Sequence, residues 1–289
     1  MTLPGDLQSW EPHLLPTMLP NYFASSEVAA RYMKVRPFFH DEVAKRLCLL
    51  TGVSRFQRAL DVGCGSGQSS IALASIADHV IAVDASENML SYAPSSPQIT
   101  YQVGFAERLN FRAREFDLIS VGSALHWFDQ DRFFAQCRKL LTPGGVLAIY
   151  NDHFTAHMQG VVACKRWMRT RFAKRYRAPR RGMRDVNELK AAEHEIETAL
   201  RSSFSHLVPF SREEFIAYLL TRSNTLAAIH SGRETHDSIV NWLENELTSI
   251  LPDGLMGSFI FKCNMWLMRL SGSEAHGKCV HANNQIKPA

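Results

Sequence analysis

The feature that most constrains this chain is a glycine-rich turn, ALDVGCGSGQSS, which spans residues 59–70 and follows an apolar run. A strand, a glycine turn and a helix N-terminus bring the backbone close to a bound ligand and point free N–H groups at it. The dinucleotide fingerprint G-x-G-x-x-G needs a small residue where this chain has Gln68. We therefore expect a nucleotide-type ligand and favour one other than a dinucleotide.

Asp61 stands two residues before the first glycine of the turn, where dinucleotide-binding strands usually stay apolar. A buried carboxylate without a partner costs several kcal/mol, on the order of the penalty for burying a charge. Its partner must therefore be a donor or a cation, which fits a ligand that carries an ammonium group better than a pyrophosphate. The alternative is that Asp61 has only a structural role.

A second acid, Asp84, closes the next apolar run in the sequence HVIAVDAS. A carboxylate at this point of a doubly wound sheet can accept hydrogen bonds from both hydroxyls of a ribose. Asp84 therefore supports a nucleoside ligand without selecting one. It could instead cap the following helix, although Ser86 can do so itself.

From about residue 57, short β-branched runs alternate with stretches of helical periodicity, which predicts an α/β fold with a doubly wound, mostly parallel sheet. Five candidate strands precede residue 152, and HLVPF and GSFIFKCNMWLMRL add two, for seven strands in all. Pro37 breaks the helical pattern upstream. The predicted units are an N-terminal helical cap, a two-part Rossmann-like core, a basic helical insertion and a polar tail: residues 1–56, 57–151 with 203–270, 152–202, and 271–289.

Composition excludes several other classes of protein. The chain has 289 residues, 46% of them hydrophobic, and no apolar run approaches the ~18 residues that a membrane span needs. The N-terminus lacks the pattern of a signal peptide, so we expect a soluble, cytoplasmic protein without a membrane partner. The six cysteines are scattered without a C-x-x-C pair, so we predict neither a metal site nor a disulfide framework.

The formal net charge of +4 is unevenly distributed. The basic segment, residues 165–184, holds ten lysines and arginines and no acid. Its interleaved aromatic residues, Trp167, Phe172 and Tyr176, could mark a surface that grips phosphates. We favour two other interpretations over nucleic acid: a solvated helix face whose aromatic residues pack inward, or a roof that selects an anionic small substrate.

Five motifs in order, LDVGCGSGQ, VDASENML, GFAERLNF, FDLISVGSALHWFD and LLTPGGVLAIY, resemble those of class I S-adenosylmethionine-dependent methyltransferases. The resemblance covers roughly residues 30–150. The chain resembles the small-molecule type of this family, which includes trans-aconitate methyltransferase and its relatives, because HWF follows its fourth predicted strand. The resemblance implies S-adenosylmethionine as methyl donor, S-adenosylhomocysteine as product, and a Rossmann-like methyltransferase fold.

The resemblance also implies roles for individual residues. The family commonly has an acid that accepts the adenine amino group where this chain has Phe105, which leaves the Ala106 backbone as the adenine contact and Glu107 as a replacement acid or a solvated residue. The other expected cofactor contacts lie on the glycine turn, the strand ends and an N-terminal lid: Asp61, Gly63, Cys64, Gly65, Gly67, Asp84, Ala85, Met89, Ser123, Ala124, Tyr32 and Arg36.

Methyl transfer requires alignment, exclusion of water and, for some acceptors, removal of a proton. His126, in SALHWF, is the candidate general base, and its alternative role is to orient the groups at the methyl site. Trp127, Asn151 and His153 are predicted substrate contacts, because the carboxyl edge of an open α/β sheet binds ligands.

We therefore predict a methyltransferase that acts on a small-molecule acceptor, with an anionic acceptor as one option. The alternatives are an RNA or protein methyltransferase that uses the basic segment, a non-catalytic S-adenosylmethionine-binding protein, and an NAD-dependent dehydrogenase. The methylated atom and the oligomeric state are left open.

Overall fold

The computed structural model describes residues 26–177 and 185–272 and contains a seven-stranded sheet. The strand order is β3-β2-β1-β4-β5-β7-β6. Among these strands of the described ranges, β7 runs in the direction opposite to the other six. The strands are β1 Phe56–Val62, β2 Ala77–Asp84, β3 Ile99–Val103, β4 Phe116–Gly122, β5 Leu141–Met158, β6 Ile196–Phe210 and β7 Gly257–Leu270.

Helices cover both faces of the sheet and its carboxyl edge. They are α1 Ser26–Val35, α2 His40–Thr51, α3 Gln68–Ala74, α4 Glu87–Leu90, α5 Gln130–Leu140, α6 Val162–Trp167, α7 Ala173–Arg175, α8 Glu188–Glu193, α9 Arg212–Leu220, α10 Ser223–His230 and α11 His236–Leu247. A short 3₁₀ helix, Leu125–Trp127, precedes α5, and a π-helical turn, Met168–Phe172, joins α6 to α7.

The central strands are buried on both faces, as a parallel sheet between two helical layers requires. Ala59 and Tyr150 pack against α2 and α3 on one face, and Leu60 and Ile149 pack against α5 and α8 on the other. Alternation along β1 turns Asp61 to the same face as Ala59. The acid therefore points toward the start of α3.

A third core lies beyond the carboxyl edge, where β5 and β7 project past the parallel strands. It is rich in aromatic side chains, and the rings of Phe215 and Phe259 stack with centroids 4.1 Å apart. Helices α6, α9, α10 and α11 and the π-helical turn pack around it. This aromatic core holds the helical layer against the carboxyl edge of the sheet.

The predicted α/β fold with a seven-stranded, mostly parallel sheet is confirmed. The two C-terminal strands pair antiparallel, and α9, α10 and α11 separate them along the chain. Pro37 lies in the break between α1 and α2, also as predicted.

The prediction that residues 152–202 are helical is wrong at both ends of that segment. β5 continues to Met158 and β6 begins at Ile196. Glu, Ala, Leu and Arg in IETALRSS favour a helix intrinsically, but pairing with the long strand β7 overrides this weak preference. The division of the chain into cap, core and insertion stays a prediction.

Some sequence predictions fall outside the described residues. These are residues 1–25 of the predicted N-terminal cap, most of the polar tail, the end of the basic segment at 178–184 and the side chain of Tyr32, whose backbone belongs to α1. Over the ranges that the structure describes, no helix is both long enough and apolar enough to cross a membrane.

We expect Phe259→Ala to lower the free energy of unfolding by about 3–5 kcal/mol, because it leaves a cavity in the aromatic core. Urea unfolding monitored by circular dichroism measures this change. The matched control is Leu189→Ala, which removes an exposed apolar side chain and should change stability by less than about 0.5 kcal/mol. Equal effects of the two substitutions would contradict the assignment of this core.

Candidate functional site

The glycine turn lies at the carboxyl edge, between the ends of β1 and β4. A Cβ at Gly63 would come 2.6 Å from the Cβ of Ala124, and Gly63 has a φ of +72°. Gly67 has a φ of +80°, and a Cβ there would come 2.6 Å from the Tyr101 hydroxyl. Only glycine fits these positions, so the turn presses its backbone against the neighbouring strand ends.

Asp61 is completely buried beneath this turn. Its Oδ2 accepts hydrogen bonds from the hydroxyls of Ser69 and Ser70 at 2.6 and 2.7 Å. Its Oδ1 is buried and has no hydrogen-bond partner among the described residues. Burial raises the pKa of Asp61 to about 6, although the two serine hydroxyls oppose this rise. The site therefore holds a carboxylate that is only half satisfied.

Asp84 fixes the shape of the turn from the end of β2. Its Oδ2 accepts from the backbone N–H of Gly65 and its Oδ1 from that of Ser86, both at 2.8 Å. Ser86 caps α4 through its own side chain, as the sequence predicts that it can. Burial raises the pKa of Asp84, and the two backbone donors offset part of the rise. Each carboxylate oxygen keeps a lone pair for a further donor.

The predicted adenine-side residues occupy different environments. Met89 and Ala106 are buried, whereas Ala85 and Phe105 are exposed. Glu107 accepts a hydrogen bond from the backbone N–H of Asp129 at 2.8 Å, which anchors the start of α5. Cys64 is buried within the turn, and burial raises the pKa of its thiol.

The end of β4 contributes a strained residue. Ser123 has a φ of +53°, which is uncommon for a residue other than glycine. Its backbone N–H donates to the carbonyl of Tyr150 and its hydroxyl accepts from the backbone N–H of Asp152. These hydrogen bonds fix the turn after β4, which places the Ala124 side chain against Gly63 of the glycine turn.

The candidate substrate residues lie just past the end of β4 and on the part of β5 that continues beyond β4. His126 and Trp127 are half-buried in the 3₁₀ helix, with ring centroids 4.9 Å apart. Asn151 and His153 are half-buried on β5 beside this segment. Hydrogen bonds between Ser123 and β5 bring the two groups to one edge of the sheet, and their contact with a substrate stays a prediction.

Two pairs of side chains at this edge are not apparent from the sequence. His206 on β6 pairs with Asp152 at 3.0 Å, and the ring of Phe39 stacks on His206. His40, the first residue of α2, lies 3.1 Å from the Tyr150 hydroxyl. The partners in each pair are far apart in sequence, so only the fold brings them together.

Arg36 lies between α1 and α2 but is directed to α9. Its Nη2 donates to the carbonyl of Thr221 at 3.1 Å, and its guanidinium lies 5.2 Å from the ring centroid of Tyr218. Helix α1 itself contacts both α4 and α9. Helix α1 of the cap therefore bridges α4, which carries Met89, and α9, which follows β6.

The described part of the basic segment is a helix whose aromatic side chains pack inward. Trp167, Phe172 and Tyr176 are all buried. Arg171 pairs with Glu246, and Arg175 pairs with Glu234 while stacking on Trp242 at 4.7 Å. The remaining basic side chains are exposed: Lys165, Arg166, Arg169, Lys174 and Arg177.

Neither a metal-binding cluster nor a disulfide is found among residues 26–177 and 185–272. In the portion of the chain that the structure describes, no group of three or more His, Cys, Asp or Glu side chains could hold a metal ion. The cysteines within the same ranges are free thiols: Cys48, Cys64, Cys137, Cys164 and Cys263.

Residues 60–149 match a family model described as a methyltransferase domain. A Dictyostelium discoideum protein that is named a methyltransferase is 26% identical over 76% of this chain and 83% of its own length. The ubiquinone biosynthesis O-methyltransferase of Coxiella burnetii is 34% identical over 38% of this chain. That match spans only half of the Coxiella protein.

A solved structure from Anaeromyxobacter dehalogenans, described as a type II methyltransferase, has the same fold. It superposes with a TM-score of 0.62 at 24% identity and covers 80% of this chain and 97% of its own. A Bacillus halodurans structure described as a methyltransferase gives a TM-score of 0.51 at 19% identity, over 80% and 99% of the two chains.

We expect Asp61→Asn to stabilise the ligand-free protein at pH 7 by roughly 1–3 kcal/mol. The pKa of Asp61 is raised from 3.8 to about 6, so its contribution to stability is present below pH 3.8 and is lost as the pH rises through 6. The gain should therefore shrink toward pH 4.

Urea unfolding from pH 4 to pH 8 measures this effect, with Asp78→Asn as the control on an exposed side chain. A variant at position 61 that is less stable than the wild type at pH 7 would show that the buried carboxylate is not a source of strain.

Proposed function

We propose that this class I S-adenosylmethionine-dependent methyltransferase, whose residues 60–149 match a methyltransferase-domain model, methylates a small molecule bound where β4 ends and β5 continues beyond it. The cap formed by α1 and α2 and the helical layer around the aromatic core flank this edge. His126, Trp127, Asn151 and His153 are the proposed contacts of the acceptor.

Two buried polar atoms fit the amino-acid portion of S-adenosylmethionine. The Oδ1 of Asp61 has no partner within the described ranges and suits an ammonium group. The hydroxyl of Tyr101, also buried and without a partner there, offers a donor beside Gly67. Asp84 has lone pairs left for ribose hydroxyls, and Met89 lies below the backbone of Gly65.

The bound cofactor supplies an electrophilic methyl group on a sulfonium centre. The residues of the chain then align the acceptor with that methyl group and exclude water. His126 accepts the proton from an acceptor O–H or N–H as the new bond forms. The Trp127 ring, which lies tilted against His126, restricts the imidazole to the orientation that this transfer needs.

The observation that carries the choice of a small molecule is the packing of the basic segment. Its aromatic residues are buried, so they cannot stack on bases, and two of its arginines pair with carboxylates of the same chain. Both features favour a structural helix over a phosphate-gripping surface. Three finer points stay predictions: that the acceptor is anionic, that the enzyme resembles trans-aconitate methyltransferase in substrate type, and that the protein is cytoplasmic.

The test uses the purified protein with methyl-labelled S-adenosylmethionine and a fractionated extract of its source cells. We expect label in the small-molecule fraction, and the name of the Coxiella relative makes oxygen acceptors the first class to examine. Label in RNA or protein would support the basic segment as a binding surface and contradict the proposal. Tight cofactor binding without any labelled fraction would support a non-catalytic binding protein.

We expect His126→Ala to lower kcat by about 10²–10⁴ on the acceptor so identified, because a general base is lost. Affinity for S-adenosylhomocysteine should stay within about twofold of the wild type, because the proton acceptor does not hold the cofactor. Steady-state kinetics and calorimetric titration measure the two quantities.

His194→Ala is the matched control, since it removes a half-buried imidazole that pairs with Asp131 in the first turn of α5 and is not among the proposed site residues. Unchanged kcat together with weaker cofactor binding in His126→Ala would assign His126 to the cofactor instead of the acceptor.

A further inference from the structure

Tyr150 places a polar group in the middle of the core below the cofactor site. The residue is 1% exposed, and its hydroxyl lies 3.1 Å from the Nδ1 of His40. A Cβ at Gly122 would come 2.7 Å from this hydroxyl, so glycine is needed there for the phenol to reach its position. Tyr150 therefore connects the N-terminal cap to the end of β4.

His40 meets this phenol from the first turn of α2. The residue is 9% exposed, and burial lowers its pKa to about 3, so the imidazole is neutral. The ring of Phe39 stacks on it with centroids 4.3 Å apart. A neutral, stacked imidazole makes a directional hydrogen bond and adds no charge to the core.

On its other side, Tyr150 faces the cluster formed by Asp61, Ser69 and Ser70. The register pairs Asp61 with Ser120 and Gly122 with Tyr150, which puts Asp61 and Tyr150 on the same face of the sheet on either side of β4. The pKa of Tyr150 is raised by burial and further by the charge of Asp61. Ser69 gives its single hydroxyl proton to Asp61, so it presents only a lone pair to the phenol. If the neutral His40 carries its proton on Nδ1 and donates it to Tyr150, the phenol O–H is left to point toward this cluster.

Packing alone does not account for these polar groups. Burying a phenol and an imidazole costs free energy unless their hydrogen bonds are made, whereas apolar side chains of the same size fill space without that cost. The polar groups are instead arranged around a carboxylate that keeps one oxygen without a partner in the described part of the chain.

We propose that Tyr150 and His40 are positioning residues that orient the Asp61 carboxylate toward the ammonium group of the cofactor and thereby join the cap to cofactor binding. This inference rests on the role proposed above for Asp61. Neither side chain needs to touch the cofactor, because both act through Ser69 and Asp61.

The test compares two ligands that differ in the group at issue. S-adenosylhomocysteine carries the ammonium group, and 5′-methylthioadenosine shares its adenosine and thioether but lacks the amino-acid portion. We expect Tyr150→Phe to weaken S-adenosylhomocysteine about tenfold, a typical effect for loss of a hydrogen bond coupled to a charge, and 5′-methylthioadenosine less than about twofold. Calorimetric titration measures both affinities.

Tyr176→Phe is the matched control. Tyr176 is 1% exposed and its hydroxyl lies 3.2 Å from Glu234, so the variant also loses a buried phenol hydrogen bond, but far from Asp61. It should leave the ratio of the two affinities unchanged. Equal weakening of both ligands by Tyr150→Phe would mean that the residue only supports the pocket, and would overturn the proposal.

His40 provides a second pair of variants should Tyr150→Phe fail to fold. His40→Asn keeps a polar atom near the position of Nδ1 and should retain most of the preference for S-adenosylhomocysteine, whereas His40→Leu should lose it as Tyr150→Phe does. Equal behaviour of His40→Asn and His40→Leu would exclude His40 from the positioning role.

Asp61→Asn separates failure of this inference from failure of its premise. If Asp61→Asn leaves the ratio of the two affinities unchanged, Asp61 does not hold the ammonium group, and both the premise and the inference are wrong. If Asp61→Asn reduces the ratio and Tyr150→Phe does not, only the inference is wrong. Neither measurement needs the methyl acceptor.

Discussion

A carboxylate buried at the end of the first strand is the constraint around which the site is organised. Asp61 is fully enclosed, yet only one of its oxygens is hydrogen-bonded among the described residues. Burial in such a place disfavours the charged form unless donors surround it. The serines at the start of α3 provide two donors, and an ammonium-bearing ligand would provide the third. Without that third donor, the buried carboxylate lowers the stability of the folded protein. Binding sites commonly lower stability in this way.

The carboxyl edge depends on close approaches between backbone segments. The glycine turn reaches Ala124, Ser123 adopts a strained conformation to hold β5, and Gly122 makes room for Tyr150. These contacts couple the strand that ends in Asp61 to the strands that carry the proposed acceptor residues. The cap contacts the same assembly through Phe39 and His40, so the proposed cofactor and acceptor regions depend on one set of packing contacts.

The basic segment in the helical layer beyond this edge presents less positive charge than its sequence suggests. The basic segment has the composition of a nucleic-acid-binding element. In the fold its aromatic residues belong to the core, and Glu246 and Glu234 of neighbouring elements neutralise two of its arginines. Among residues 165–177, the basic side chains that remain available to bind a partner are the exposed ones outside these two ion pairs: Lys165, Arg166, Arg169, Lys174 and Arg177.

The sequence by itself determined the layer order, the parallel strands, the glycine turn and the two acids Asp61 and Asp84, because local periodicity and short motifs carry that information. It did not determine the length of β6, whose helix-favouring residues are recruited into the sheet by β7. It also did not show the pairs His40–Tyr150 and Asp152–His206, whose members lie 110 and 54 residues apart. Only the tertiary structure decided these, because hydrogen bonds between distant segments depend on how strands and helices pack, and local sequence patterns do not record that packing.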